Sequence, residues 1–376
     1  MGNTSSSPVI PKTMKRWVLV QVNDDLAKAE LRLEEVDVPS PGSGEVLIQV
    51  CAAPVNPSDY GVWSRARPVT EPEPIGNEGS GVVVASGGGL YANSCIGCKC
   101  GFTSNVKGSN AYAEYVIVNA LRGVYCLPDT VPLKDAASHF VNPYTAYGFL
   151  ETVRSRHVVT KSSKIPGFVH TAACSQLGKM LVKLTQQEGN MTLINVVRRQ
   201  EQAETLLALG AEHVIVTQGD TWESELKKLI KQYGIQFAFD AVAGELTGKI
   251  LSLLPNRATM FVYGRLSNKG CAEIQPLDLI YRRKKLEGWF LGAWSTNGGM
   301  LAAARRLKGA TAVVHVGLDP KKGNGWARSQ YEDCSMETMF DRFGDLLANG
   351  FTGRKLRIVM NESDTAIENG ESEESA

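Results

Sequence analysis

No apolar run in this 376-residue chain approaches the ~20 residues that a helix needs to cross a bilayer. Neither sign of charge is in excess: 40 Lys and Arg meet 39 Asp and Glu, for a net charge of +1. The electrostatic footprint of a nucleic-acid binder is therefore missing, and no nucleic-acid partner is expected. The start does not read as a secretory signal. The eight cysteines are accordingly expected as free thiols in a reducing compartment, the cytoplasm, with the mitochondrion left open. Cys95, Cys98 and Cys100 form the one cluster that resembles a ligand set. It lacks a fourth ligand at short spacing, Cys126 being remote, and no metal is expected there.

What is present is the composition of a globular protein, 43% hydrophobic and 21% charged, long enough to predict two domains. Residues 1–13 are small and polar and 362–376 are acidic, so both ends read as unstructured. The start also fits the Met-Gly-x-x-x-Ser pattern, with Gly2 as myristoyl acceptor and Ser6 in place. One acyl chain would give only weak membrane association. The alternative is a disordered leader before a second start at Met14.

From 14 to 141 the chain reads as β-rich. β-Branched runs at 16–22, 45–51, 82–85 and 111–118 are punctuated by Pro39, Pro41, Gly42 and Gly44, and no helical period appears before Leu133. From 142 to 317 strands alternate with helices of about ten residues: strands at 164–170, 191–197, 214–216, 237–241 and 259–263, helices at 177–187, 201–209, 222–233 and 246–253. That alternation builds a parallel, doubly wound sheet. A last helix at 336–349 and strand at 355–360 belong to a segment, 318–361, expected to return to the first domain.

The first strand of the alternating half opens into Ala173-Cys174-Ser175-Gln176-Leu177-Gly178. Ala173-x-Ser175-x-x-Gly178 has the spacing of a Gly-x-Gly-x-x-Gly phosphate loop, with small residues for two of the glycines. Small residues let a pyrophosphate approach the backbone, and the helix start supplies N–H donors. About twenty residues on, an NAD site would place an acidic residue to accept from the ribose 2′-hydroxyl. Here stand Arg198 and Arg199, which suit a 2′-phosphate and predict NADPH as cofactor.

Several motifs carry a resemblance to a known family: Val55-Asn56-Pro57-Ser58-Asp59, Gly76-Asn77-Glu78-Gly79, Asn142-Pro143-Tyr144-Thr145-Ala146, the stretch from His170 to Gly178, and Leu286 to Trp294. Over roughly 15–360 the chain resembles the medium-chain dehydrogenase/reductase superfamily, in its zinc-independent quinone oxidoreductase and enoyl-thioester reductase branch. The resemblance implies an α/β protein with a Rossmann doubly wound parallel sheet plus a GroES-like β-rich catalytic domain, and a homodimer. It places Thr145, Asp240, Tyr263, Gly264 and Phe290 along the cofactor, beside Ala173, Ser175, Gln176, Leu177, Gly178, Arg198 and Arg199. In the zinc enzymes of this family a Cys and a His hold the metal where Asn56 and Asn77 stand here. Carboxamides are poor zinc ligands, so the resemblance implies hydride transfer without metal. Asn56 and Asn77 would polarise a substrate oxygen and Tyr60 would donate a proton, in a cleft between the domains. The branch's enoyl-thioester reductases place a Tyr eleven residues after the Asn; this chain has Arg67, which with Arg65 could meet an anionic substrate instead.

The expected activity is NADPH-dependent reduction of a small molecule, a quinone or an α,β-unsaturated carbonyl. The alternatives are a 2-enoyl-thioester reductase of fatty acid synthesis, for which the basic stretch 281–285 could serve as a groove, and an NADPH-binding protein without turnover.

Overall fold

The computed structural model describes residues 9–64, 67–159, 165–349 and 353–360. Gly2, Arg65 and the acidic end at 362–376 lie outside them. The chain forms two compact units: one runs to Phe140 and resumes at Arg328, the other is Val141–Ala327.

The first unit is built on a seven-stranded sheet. Its order is Tyr331–Cys334, Lys355–Val359, Glu45–Pro54, Glu78–Ser86, Lys99–Thr103 and Val124–Cys126, with Tyr115–Asn119 also paired to Glu45–Pro54. Glu45–Pro54 is the centre, and its near-continuous apolar sequence matches burial on both faces. A smaller sheet pairs Thr13–Gln21 with Glu30–Asp37 and Glu73–Pro74. The core gathers Trp63, Phe102, Tyr112, Phe343 and Ile358, all buried. Gly76 has φ +100°, and a Cβ there would lie 2.4 Å from the Tyr112 ring, so only glycine fits.

The second unit is a six-stranded sheet, and every pairing in it is parallel. Numbered along the sequence, its strands are Gly167–Thr171, Thr192–Val197, His213–Val216, Phe237–Asp240, Thr259–Val262 and Lys285–Gly288, arranged 3-2-1-4-5-6. This is the doubly wound dinucleotide order. The strand expected at 164–170 begins at Gly167; residues 160–164 lie outside the described set. Helices behave as their patterns dictate. Trp222–Tyr233 buries Trp222, Leu226 and Ile230, one turn apart, and stops at Gly234 in the left-handed conformation.

Three expectations need correction. Short helices precede Leu133, at Pro57–Trp63, Leu90–Ser94 and Ala120–Gly123, because four to seven residues are too few to show a helical period. A 20-residue helix, Gly299–Leu318, lies where the sequence was not read as helical. Its first turns, rich in Ala, Leu and Arg, carried the propensity signal that would have found it. The return to the first unit comes at Arg328 rather than 318. The intervening segment packs back on its own unit: Ala327 N donates to Gly317 O, Asn324 Nδ2 donates to Lys183 O, and Trp326 is buried over Gly317.

Candidate active site

In the second unit, strand order reverses between Gly167–Thr171 and Phe237–Asp240, and ligands of such sheets bind outside the carboxyl ends at that point. The loop leaving Thr171 is tightly made. Ala172 takes φ +51°, Ser175 N donates to Ala172 O, and Ser175 caps the helix Gln176–Glu188 by accepting from Gly178 N at 3.2 Å. A Cβ on Gly178 would sit 1.9 Å from Ala173 O, so glycine is required for the helix to pack on the turn. Ala173, Gln176 and Leu177 are buried around it. The Leu177 N–H, at the second helical position, has no hydrogen-bond acceptor among the described residues, as an anion-binding helix start requires. The loop fits a pyrophosphate.

At the end of the neighbouring strand, Arg198 and Arg199 are exposed. Their backbone N–H groups donate to Gln202 Oε1, both at 3.1 Å, which fixes the turn into the helix Gln200–Ala208. Arg199 lies 3.8 Å from Glu201, an exposed pair worth little. The Arg198 guanidinium has no ion-pair partner among the described residues. These side chains fit a ribose 2′-phosphate.

The remaining cofactor expectations divide. Asp240 is a correction. Its buried carboxylate accepts from Thr171 Oγ1, Val242 N, Ala243 N and Thr247 Oγ1 at 2.6–3.2 Å, so it holds the crevice walls together instead of offering an oxygen to a ligand. Thr145 donates to Val141 O within its own helix. Gly264 lies close to Ala241, where a Cβ would fall 2.8 Å from the Ala241 carbonyl. Phe290 is exposed at the start of the short helix Leu291–Thr296. Tyr263 is half-buried and its hydroxyl is 2.6 Å from His170 Nε2.

In the first unit, Asn56 and Glu78 meet a residue the sequence did not single out, Lys355. The strand register explains it: Arg357 pairs with Pro54 and Ile358 with Ala53, so continuing the ladder sets Lys355 opposite Asn56. Asn56 Nδ2 donates to Glu78 Oε1 at 3.0 Å, and its Oδ1 accepts from Lys355 Nζ at 2.7 Å. Lys355 also reaches Ser138 Oγ, and Phe140 N donates to Glu78 Oε2. Asp59 accepts from Asn56 N, Tyr112 Oη and Asn77 Nδ2. All but Asn77 and Phe140 in this network are buried. Burial pushes the Asp59 carboxyl up to about 7, against hydrogen bonds from Asn56 and Tyr112, and pushes the Lys355 ammonium down against the pull of Glu78 and Asp59.

This corrects the expectation for two catalytic residues. Both polar ends of the Asn56 carboxamide are spent inside the unit, so it is a bridge between Glu78 and Lys355. Tyr60 packs its ring 5.5 Å from Phe343 and 6.5 Å from Trp63. Burial, followed by the nearby Asp59, raises its hydroxyl pKa, which opposes proton release. Asn77, like Tyr60, is half-buried, and its Nδ2 is directed to Asp59 and Ser58. Among the described residues no group of three His, Cys, Asp or Glu could hold a metal ion.

Three further expectations change. Cys98, just before the strand Lys99–Thr103, and Cys126, on the strand paired with it, form a disulfide although 28 residues apart in sequence, so they are not free thiols; strand pairing brings together what looked remote. Lys284, within the basic stretch, is buried, donates to Leu251 O and Ser252 O at the end of a helix, and pairs with Asp278. Arg67 is engaged by both oxygens of Glu73, which removes it as a free anchor for an anionic substrate.

The network has a signature in stability. A carboxyl whose folded pKa is raised stabilises most below its unfolded value near 4 and loses that contribution as pH rises to about 7. The stability of the wild type relative to Asp59→Asn should therefore fall between pH 4 and 7, by at most about 1.4 kcal/mol per unit, and level off above. Urea denaturation across that range reads it. A flat difference would show that Asp59 is ionised throughout.

The family model for the alcohol dehydrogenase GroES-like domain matches residues 42–129, and that for the zinc-binding dehydrogenases matches 177–319. A mitochondrial enoyl-[acyl-carrier-protein] reductase of Xenopus tropicalis is 30% identical over 286 residues, 70% of this chain and 74% of that protein. Its counterpart in Bos taurus is 30% identical over 283 residues, 70% and 69% of the two chains. A crystal structure assigned as an NADPH:quinone reductase from Mesorhizobium loti superposes with a TM-score of 0.79 at 28% identity, over 94% of this chain and all of that one. An enoyl thioester reductase from Candida tropicalis shares the fold, with a TM-score of 0.70 at 20% identity over 92% and 99% of the chains. The parallel crevice sheet and the β-rich unit are thus the two halves of a known enzyme class, and the chain belongs to the medium-chain dehydrogenase/reductase superfamily, in its quinone oxidoreductase and enoyl-thioester reductase branch, as an oxidoreductase working with a nicotinamide cofactor.

Proposed function

We propose that this enzyme is an NADPH-dependent, zinc-independent reductase of quinones or α,β-unsaturated carbonyls. The observation that carries the reading is the unpaired Arg198 guanidinium at the end of the second parallel strand, where no acidic residue competes for a ribose hydroxyl. NADPH, when bound, supplies the hydride. The chain supplies position: the Ser175–Gly178 turn and the Leu177 N–H for the pyrophosphate, Arg198 and Arg199 for the 2′-phosphate. Charge developing on the acceptor oxygen needs a fixed donor in place of a metal. Quinones suit a site with no dedicated acid, since they take protons from water after reduction.

Enoyl-thioester reduction is the second reading, favoured by the named activity of the Xenopus and Bos relatives. The absence of a Tyr at position 67 and the engagement of Arg67 by Glu73 weigh against it. We further propose a homodimer. Lys285–Gly288 is an edge strand of the parallel sheet, and Leu277, Ile280 and Tyr281 just before it are exposed; an open edge beside apolar side chains favours pairing with a second copy. Sedimentation should give twice the chain mass, and a monomer at micromolar concentration would refute it.

The activity is tested by NADPH oxidation against a panel of benzoquinones, naphthoquinones, enones and enoyl thioesters, with chelator-treated protein alongside. Turnover highest on quinones or enones and unchanged by chelation is expected. Turnover confined to enoyl thioesters, or lost with a stoichiometric zinc, would overturn the reading. Arg198→Ala should weaken NADPH binding on the order of tenfold to a hundredfold while NADH binding barely changes. Equal losses for both cofactors would mean that the arginine is structural.

A further inference from the structure

His170 is the penultimate residue of the first parallel strand, and its imidazole is completely buried. Strand order puts Phe237–Asp240 between it and Thr259–Val262, and Tyr263, one residue beyond the latter, reaches across to it. The two rings stack at 5.9 Å, with Phe149 also against both. Tyr263 Oη and His170 Nε2 are 2.6 Å apart, and His170 Nδ1 has no hydrogen-bond partner among the described residues.

That orphan nitrogen decides which way the hydrogen bond runs. Burial holds the imidazole neutral, its pKa lowered to about 3, so it carries one ring proton. Placed on Nδ1, the proton would make a buried N–H with no acceptor, and the Tyr263 proton would be spent on Nε2. Placed on Nε2, it is donated to Tyr263 Oη, and only a bare lone pair is left at Nδ1. Orphaned buried N–H groups are the rarer defect. With Nε2 as donor, the Tyr263 oxygen is the acceptor and its own O–H is free to donate elsewhere. The Asp240 carboxylate does not take it, because its four hydrogen bonds go to Thr171, Val242, Ala243 and Thr247. Tyr263 is half-buried just past the carboxyl end of its strand, the side on which doubly wound sheets bind their ligands.

We propose that His170 is a positioning residue that fixes the Tyr263 hydroxyl as a hydrogen-bond donor to a neutral oxygen of the nicotinamide nucleoside half of the cofactor, its carboxamide or ribose. The proposal rests on the cofactor reading above. Burial, and after it Asp240, raises the Tyr263 pKa, which keeps the phenol protonated and able to donate.

The test compares two ligands on the full chain: NADPH by fluorescence titration, and adenosine 2′,5′-bisphosphate, which lacks the nicotinamide half, by calorimetry. Tyr263→Phe should weaken NADPH on the order of tenfold, the worth of one neutral hydrogen bond, and leave the bisphosphate unchanged. His170→Leu should reproduce that split, and His170→Gln, whose amide N–H can replace Nε2–H, should recover most of it. Nitrogen-15 spectra of histidine-labelled apoprotein should show the Nε2–H tautomer, a readout that stands even where His170→Leu does not fold. Unchanged NADPH binding in Tyr263→Phe, equal weakening of both ligands, or an Nδ1–H tautomer would overturn the proposal. Wild-type protein that binds neither ligand would instead overturn the cofactor reading on which it rests.

Discussion

The first unit depends on one buried ammonium. Asp59 and Glu78 are both sequestered from water, and Lys355 is the cation set among them, reaching Glu78 through the Asn56 carboxamide. Two carboxyl groups buried without that charge would face the desolvation cost that makes a broken buried pair lose about 3–5 kcal/mol. The position follows from strand pairing, since the ladder that joins Arg357 to Pro54 sets residue 355 against residue 56. Asn56 thus matters as a coupler: one amide face meets the acid, the other meets the base. The amine that meets the base side of this bridge is carried on the strand Lys355–Val359.

The same logic of committed polar groups sorts the second unit. Asp240 and Arg198 both stand at the ends of parallel strands. Asp240 is saturated by two hydroxyls and two backbone N–H groups, while Arg198 keeps its guanidinium unspent. A saturated buried carboxylate rigidifies the loops around it. An unspent exposed guanidinium can exchange water for a phosphate at little cost. Proximity to the crevice does not by itself make a binding residue; unfilled hydrogen-bonding capacity does.

The alternating half was legible in the sequence because its strands and helices repeat at a length the apolar pattern resolves. The phosphate turn was legible without its first two glycines, since the strand before it and the helix after it fix the geometry, and Gly178 keeps the one contact that admits no side chain. The network around Asn56 was not legible. Its partners lie at 78, 138 and 355, and Lys355 reads as an ordinary residue at a strand start. The Cys98–Cys126 bridge and the burial of Lys284 against the Leu251 and Ser252 carbonyls were hidden for the same reason: both depend on contacts between segments about thirty residues apart along the chain. Tyr60 was misjudged because nothing local shows that Trp63 and Phe343 will enclose its ring.

The first unit is discontinuous: it runs to Phe140 and is completed only by the segment from Arg328 on. On a ribosome working from the N-terminus, the strand Glu45–Pro54 waits for Lys355–Val359 through the synthesis of some three hundred intervening residues. Val141–Ala327 is contiguous and can close its parallel sheet first, whereas the β-rich unit is left with an open strand edge and two unbalanced acids until Lys355–Val359 has been made. Open edges of that kind recruit other chains. A chain cut before Lys355 would keep that open edge permanently.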